Sequence, residues 1–182
     1  SGATSAGGAG GGAIKLNASG TVAINGTLAA NGGTGTGSGG ASGGSIWLIA
    51  NSLTGSGSIT ANGGSASNTS YGAGGGGRID ISQLSYNYSG ALEVNSGSSG
   101  LVGRVGSILF PTNADVTLTG KTVKFNNCNT FGNISLSSST LSFYRYYSDV
   151  SSCTITAGTV AVGASSTLNI YRNPSETDDT IN

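Results

Sequence analysis

Short stretches of the chain alternate apolar with small polar residues, as in Ile14-Lys15-Leu16, Val22-Ala23-Ile24 and Leu28-Ala29-Ala30. This two-residue beat is that of strands with one face buried. Between the stretches lie runs of Gly, Ser, Thr and Asn, which suit turns that need positive φ or local side-chain capping. No segment sustains a 3.6-residue period between helix caps, so the pattern predicts an all-β chain with almost no helix.

The pattern repeats. "GTLAANGG" (26–33), "GSITANGG" (57–64) and "GALEVNSG" (90–97) align Leu28 with Ile59 and Leu92, and Asn31 with Asn62 and Asn95. A second landmark, after each glycine tract, places Ile14, Ile46, Ile79 and Ile108 at intervals of 32, 33 and 29. Three short strands per repeat cannot enclose a core alone, but stacked coils would pair each strand with its counterparts about 4.8 Å above and below. The expected fold is therefore a single-stranded parallel β-helix, a β-solenoid, over residues 1–110 with a repeat of about 32 residues. Ile14, Ile46, Ile79, Ile108, Leu28, Ile59 and Leu92 form its stacked core, and Asn31, Asn62 and Asn95 its stacked turn amides. The glycine tracts at 32–44 and 62–77 become loops bulging from one corner, where glycine lets the backbone leave and rejoin the wall without steric cost.

Past residue 110 the glycine tracts disappear. Val123-Lys124-Phe125, Leu141-Ser142-Phe143 and Val160-Ala161-Val162 recur at spacings of 18 and 19, and Ile134 and Ile155 stand 21 apart. Residues 111–182 read as shorter coils of the same solenoid or as a separate small β-domain, ending in the polar tail "NPSETDDTIN".

Composition sharpens this picture. Thirty-four glycines suggest disorder, but disordered chains are poor in aliphatic residues, and this one is 36% hydrophobic. Only 8% of residues are charged, so hydroxyls and amides must solvate the surface. Seven basic residues balance seven acidic ones, leaving no electrostatic footprint for nucleic acid and no basic amphipathic face. No apolar run approaches the roughly 18 residues of a transmembrane helix. Neither a nucleic-acid partner nor membrane insertion is expected. A start at Ser1, without initiator Met or signal sequence, is what a mature or excised segment would show. Cys128 and Cys153 suit either one disulfide of a secreted protein or two buried thiols. As a bridge, with a separation near the length of a coil, they would staple neighbouring coils and contribute on the order of 3 kcal/mol.

Catalytic signatures are weak. Gly35-Thr36-Gly37-Ser38-Gly39-Gly40 fits G-x-G-x-x-G, but no helix follows and no acidic residue lies about 20 positions on. Gly40-Ala41-Ser42-Gly43-Gly44 fits the nucleophile elbow, yet a protein without histidine lacks the base of a Ser-His-Asp relay. Of the acidic residues only Glu176, Asp178 and Asp179 cluster, and they lie in the tail; Arg78 and Asp80 read as an exposed ion pair. No catalytic residue, metal site or cofactor is expected. The run Phe143-Tyr144-Arg145-Tyr146-Tyr147, with Trp47 and Tyr71, reads as core or interface ahead of a sugar-stacking platform. Sequons at Asn17, Asn25, Asn68, Asn87 and Asn133 are candidates for N-glycosylation, which would add the solubility that charge does not.

The passage "GGSIWL…LTGSGSITANGG…GAGGGGRIDI" resembles the glycine-rich, right-handed parallel β-helix repeats of large secreted or surface-exposed proteins of the pectin-lyase-like superfamily, over residues 8–110. That resemblance implies an architecture more than an activity, since the superfamily includes lyases, adhesins and inert stalks. The expected function is an extracellular or cell-surface structural protein, a subunit of a filament, fibre or stalk that assembles end to end with itself and carries covalent glycans. A carbohydrate-binding or carbohydrate-cleaving β-helix, or a fragment of a large adhesin, is the alternative.

Overall fold

The computed structural model describes residues 6–101, 103–144 and 155–171, and among these residues there is no helix. Their strands are β1 (Ala13–Asn17), β2 (Thr21–Ala23), β3 (Thr27–Ala29), β4 (Ser45–Gly55), β5 (Ser58–Thr60), β6 (Arg78–Tyr88), β7 (Ala91–Glu93), β8 (Ser107–Leu109), β9 (Ala114–Thr119), β10 (Thr122–Phe125), β11 (Phe131–Ser137), β12 (Thr140–Tyr144), β13 (Thr159–Val162) and β14 (Thr167–Tyr171). They form four sheets: β1-β4-β6-β8 with β2 also on β4, then β3-β5-β7, β9-β11-β13 and β10-β12-β14. Every pairing of these strands is parallel.

Parallel pairing over such short strands requires each partner to lie a long loop away, and the register shows the step. Ile14 sits opposite Ile46, Ile46 opposite Ile79 and Ile79 opposite Ile108. Leu28 sits opposite Ile59 and Ile59 opposite Leu92. Because side chains alternate across a strand, one such match puts every apolar residue of the pair on the same side. Ile46, Leu48, Leu53, Ile59, Ile79, Ile81, Leu92 and Ile108 are accordingly sealed from solvent, within one core that draws on all four sheets. Burying one such side chain is worth about 1.5–3 kcal/mol, which is what holds strands of three residues in place.

Each repeat was expected to carry three short strands, but β4 and β6 each run eleven residues. They do so by irregular register. Trp47 pairs with Asp80 and Ile49 with Gln83, so β6 holds one extra residue there, a bulge that re-aims the strand.

In the second half, Val123 pairs with Leu141, as the short spacing predicts, and Phe125 with Phe143. The next member differs from the sequence reading. Val160-Ala161-Val162 does not continue that column; it pairs with Ile134-Ser135-Leu136 of β11. The next partner of Leu141 is instead Leu168, a longer step along the sequence. Two apolar alternations of similar composition compete for each column, and spacing alone ranks the nearer one first. The four phenylalanines of the chain, Phe110, Phe125, Phe131 and Phe143, gather where the two halves meet, with ring centroids 4.9–6.3 Å apart and Tyr86 edge-on to Phe110 at 5.5 Å.

Sheet β1-β4-β6-β8 ends on β8, and its edge is closed by side chains. Asn127 Oδ1 accepts the Ile108 N–H and Asn127 Nδ2 donates to the Ile108 carbonyl, both at 2.8 Å. Asn129 Oδ1 accepts from the Phe110 N–H at 3.2 Å. The amide thus imitates the peptide group of a further strand. An open edge is a template for another chain, and leaving these partly buried groups unpaired costs about 1–3 kcal/mol. Asn127→Leu should lower stability by about 2 kcal/mol in urea denaturation and raise light scattering at high protein concentration; unchanged values in both would refute the sealing role.

Candidate functional site: the glycine arms and the outward columns

The glycine tracts are not open loops. Each leaves the sheets as an outgoing limb and comes back as a returning limb, and the two are hydrogen-bonded to each other. Gly44 donates to the Ala30 carbonyl at 2.7 Å and Ala41 to Gly33 at 3.0 Å; one layer on, Gly77 donates to Ala61 at 2.7 Å and Gly74 to Gly64 at 2.9 Å. Between layers, Gly32 donates to Asn62 and Gly35 to Ser65, while Gly40 donates to Gly72 and Gly43 to Gly75, at 2.8–3.1 Å. Residues 6–12 join the stack as a returning limb, with Gly8 donating to Gly39 and Gly11 to Ser42.

The donors recur every third residue. Three residues per turn is the winding of polyproline II, an extended form whose N–H and C=O groups all point outward to neighbouring chains. Close packing of such limbs leaves no room for side chains on the inner sides. A Cβ on Gly8, Gly11, Gly32, Gly35, Gly74 or Gly77 would fall within the van der Waals envelope of a neighbouring backbone. Gly10, Gly12 and Gly72, by contrast, face open space. The glycine content therefore builds ordered, stacked arms with their own hydrogen-bond accounting.

The Asn31, Asn62 and Asn95 series joins arms to sheets. Asn31 Oδ1 accepts the Asn62 backbone N–H at 2.7 Å, and Asn62 Oδ1 accepts that of Asn95 at 2.8 Å. The ladder runs from amide to backbone rather than amide to amide. Asn62 Nδ2 also donates to Glu93 Oε2 at 2.9 Å.

On the outer face of the large sheet, Lys15, Trp47, Asp80 and Leu109 follow one another in register. The Lys15 ammonium lies 4.1 Å from the Trp47 ring centroid, so one face of this 40%-exposed indole is already covered by a cation. Arg78 and Asp80 form a 3.0 Å ion pair, and Asp80 Oδ1 also accepts from the N–H and hydroxyl of Ser82. Burial alone would raise the Asp80 pKa, but the hydrogen bonds from Ser82 and Arg78 outweigh it and hold the carboxyl below its ordinary value. Ser82 belongs to the bulge of β6 and Arg78 to the regular strand before it, so Asp80 ties the two together as a structural carboxylate. Asp115 likewise accepts from Asn133 Nδ2 at 2.8 Å. Among the described residues no three His, Cys, Asp or Glu side chains converge in a way that could hold a metal ion.

Asn17, Asn25, Asn68, Asn87 and Asn133 are all exposed. Cys128 is disulfide-bonded; Cys153, its expected partner, lies outside the described residues. Of the aromatic run, Phe143 is buried and Tyr144 stacks on Tyr171 with centroids 4.6 Å apart, while Arg145, Tyr146 and Tyr147 lie outside the described residues, as do Asp149 and the acidic tail with Glu176, Asp178 and Asp179. Tyr71 is exposed near the tip of an arm, where Gly72 bridges to Leu101. Among the described residues the buried Tyr86 and Tyr88 hydroxyls find no hydrogen-bond partner, and burial pushes the Tyr88 phenol up to about 12. Nothing in the sequence pointed to the Asn127 clamp, because its partner Ile108 is nineteen residues away. The chain matches no protein-family model, no curated protein and no solved structure.

Proposed function

We propose that the four sheets are the faces of one parallel β-helix and that the protein is an extracellular structural subunit of a filament, fibre or surface stalk. What supports a continuous helix is the succession of parallel pairings, bulged in places, around a single core, with β10 lying against β7 and β9 against β6 where one sheet gives way to the next. What supports a structural role is that the Asp80 and Asp115 carboxylates are each engaged by side chains of the sheets themselves, Ser82 and Arg78 in one case and Asn133 in the other.

One observation carries the assembly reading. The inward residues of the first layer, Ile14, Leu16, Val22, Ile24 and Leu28, are only partly buried, whereas Ile46, Leu48, Leu53 and Ile59, one layer on, are sealed. In the last described layer Val160 and Ile170 are 48% and 56% exposed. Each of these apolar cross-sections is open to a further stacked layer, which a second copy of the chain would supply. Zero net charge keeps the electrostatic cost of repeating the unit low.

Negative-stain electron microscopy of the purified protein should show axial association that grows with concentration; short, monodisperse particles at every concentration would sink the assembly reading. Protein made in a eukaryotic secretory pathway should exceed the bare polypeptide mass through glycans on the exposed sequons, and an intact mass equal to the polypeptide would overturn that part. A carbohydrate-binding β-helix is the second reading, favoured by the half-exposed Trp47 in register between Lys15 and Asp80. Absence of binding across a panel of neutral and acidic glycans would remove it.

A further inference from the structure

Three Asn-Gly pairs occur in the protein, Asn25-Gly26, Asn31-Gly32 and Asn62-Gly63. Such pairs share one spontaneous reaction. The glycine backbone nitrogen loses its proton to water and bonds to the asparagine Cγ, the bond from Cγ to Nδ2 breaks, and ammonia leaves. Water then opens the resulting succinimide at either carbonyl, giving aspartate or isoaspartate. Glycine suits the reaction because no Cβ hinders the approach of its nitrogen. The three pairs are alike in sequence and differ only in what the fold does to the two reacting atoms.

At Asn31 and Asn62 both atoms are held. The Gly32 N–H donates to the Asn62 carbonyl and the Gly63 N–H to the Asn95 carbonyl, each at 2.8 Å. The side-chain oxygens of the same two asparagines accept the backbone N–H of Asn62 and Asn95 at 2.7 and 2.8 Å. Ring closure would have to break both bonds and swing the amide out of the ladder.

Asn25 stands apart. Its Oδ1 accepts only a longer bond, 3.3 Å, from the Ser56 N–H, and the side chain is exposed. The Gly26 N–H meets no backbone acceptor among the described residues. The reason lies in the layering. Gly57, the equivalent residue one layer on, donates to the Ile24 carbonyl of the layer before it at 3.0 Å, and Gly26 belongs to the first paired layer.

We propose that Asn25 is a deamidation site of the folded protein and that the arm ladder protects Asn31 and Asn62 from the same chemistry. Conversion adds one negative charge to a protein of zero net charge and destroys the acceptor of the Asn25-Gly26-Thr27 sequon. A glycan on Asn25 Nδ2 and the succinimide therefore compete for one site. The inference does not rest on the assembly reading, since the rate is read on the dilute monomer fraction.

The test uses the full chain made without glycans, incubated folded at mildly alkaline pH, with peptide mapping for acid and isoaspartate at each pair. Asn25 should convert faster than Asn31 and Asn62 by about tenfold or more, the factor that two ordinary hydrogen bonds impose on a step that must break both. In denaturant the three rates should converge, which ties the difference to the fold. Gly26→Ala adds a Cβ with nothing within 4 Å and keeps the sequon, so it should fold normally and bring Asn25 down to the slow rate. Comparable rates at the three pairs in the folded chain, or an Asn25 rate unmoved by Gly26→Ala, would overturn the proposal.

Discussion

Gly74→Ala is expected to unlock the central arm while leaving the hydrophobic core untouched. A methyl at Gly74 would meet the Ala41 carbonyl of the neighbouring limb, a backbone group that cannot rotate away. Relief requires the limbs to separate. That breaks the bonds from Gly74 to Gly64, from Gly97 to Gly74 and from Gly64 to Ala41, now 2.7–2.9 Å long, at about 1 kcal/mol each plus the cost of buried groups left without partners. A loss of about 3–5 kcal/mol follows, with hydrogen exchange speeding up first at the amides of Gly64, Gly74 and Gly97. Two residues away, Gly72 has open space where its Cβ would go. Gly72→Ala should be neutral, or stabilising by about 0.4–1 kcal/mol, because alanine narrows the unfolded ensemble. Two nearby glycine substitutions of opposite sign separate packed arms from flexible loops, since in a flexible loop both would be harmless.

Phe125→Ala should cost about 3–5 kcal/mol and lower the melting temperature by roughly 10 °C. Phe125 is fully buried, stands edge-on to Phe143 at 4.9 Å and tilts against Phe110 at 5.7 Å, so its removal leaves a cavity between those two rings. Nearest-neighbour coupling between stacked layers predicts where the damage goes. Sheets β9-β11-β13 and β10-β12-β14 should lose protection before β3-β5-β7 does. Phe125→Leu, which leaves a smaller cavity, should cost about half as much. A Phe125→Ala protein that melts at the same temperature would mean that the cluster does not bind the two halves of the chain together.

The columns of the first half were legible because each is built from a local alternation and a landmark that returns at nearly constant spacing. Ile14, Ile46, Ile79 and Ile108 needed no knowledge of distance in space to be aligned. The second half was legible only as far as its spacing held. Val123 and Leu141 follow the short step, but the following step lengthens, and Val160 falls in the column of Ile134 instead. Outward residues were the least legible. Arg78 and Asp80 were readable as a pair, but the role of Asp80 depends on an extra residue in β6, which no single strand reveals.

From the amino-acid order alone come the all-β class, the spacing of about 32 residues in the first half and the inward columns, because two-residue alternation and repetition are properties of the chain itself. Tertiary structure alone decides that the glycine tracts close-pack into arms, that four distant phenylalanines share one cluster, that Asn127 ends a sheet, and that Asn25 differs from Asn31 and Asn62. The physical reason is common to all four. Backbone hydrogen bonding at a period of three leaves no pattern of side chains to read, and groups a whole layer apart in sequence meet only when the layers between them have been laid down.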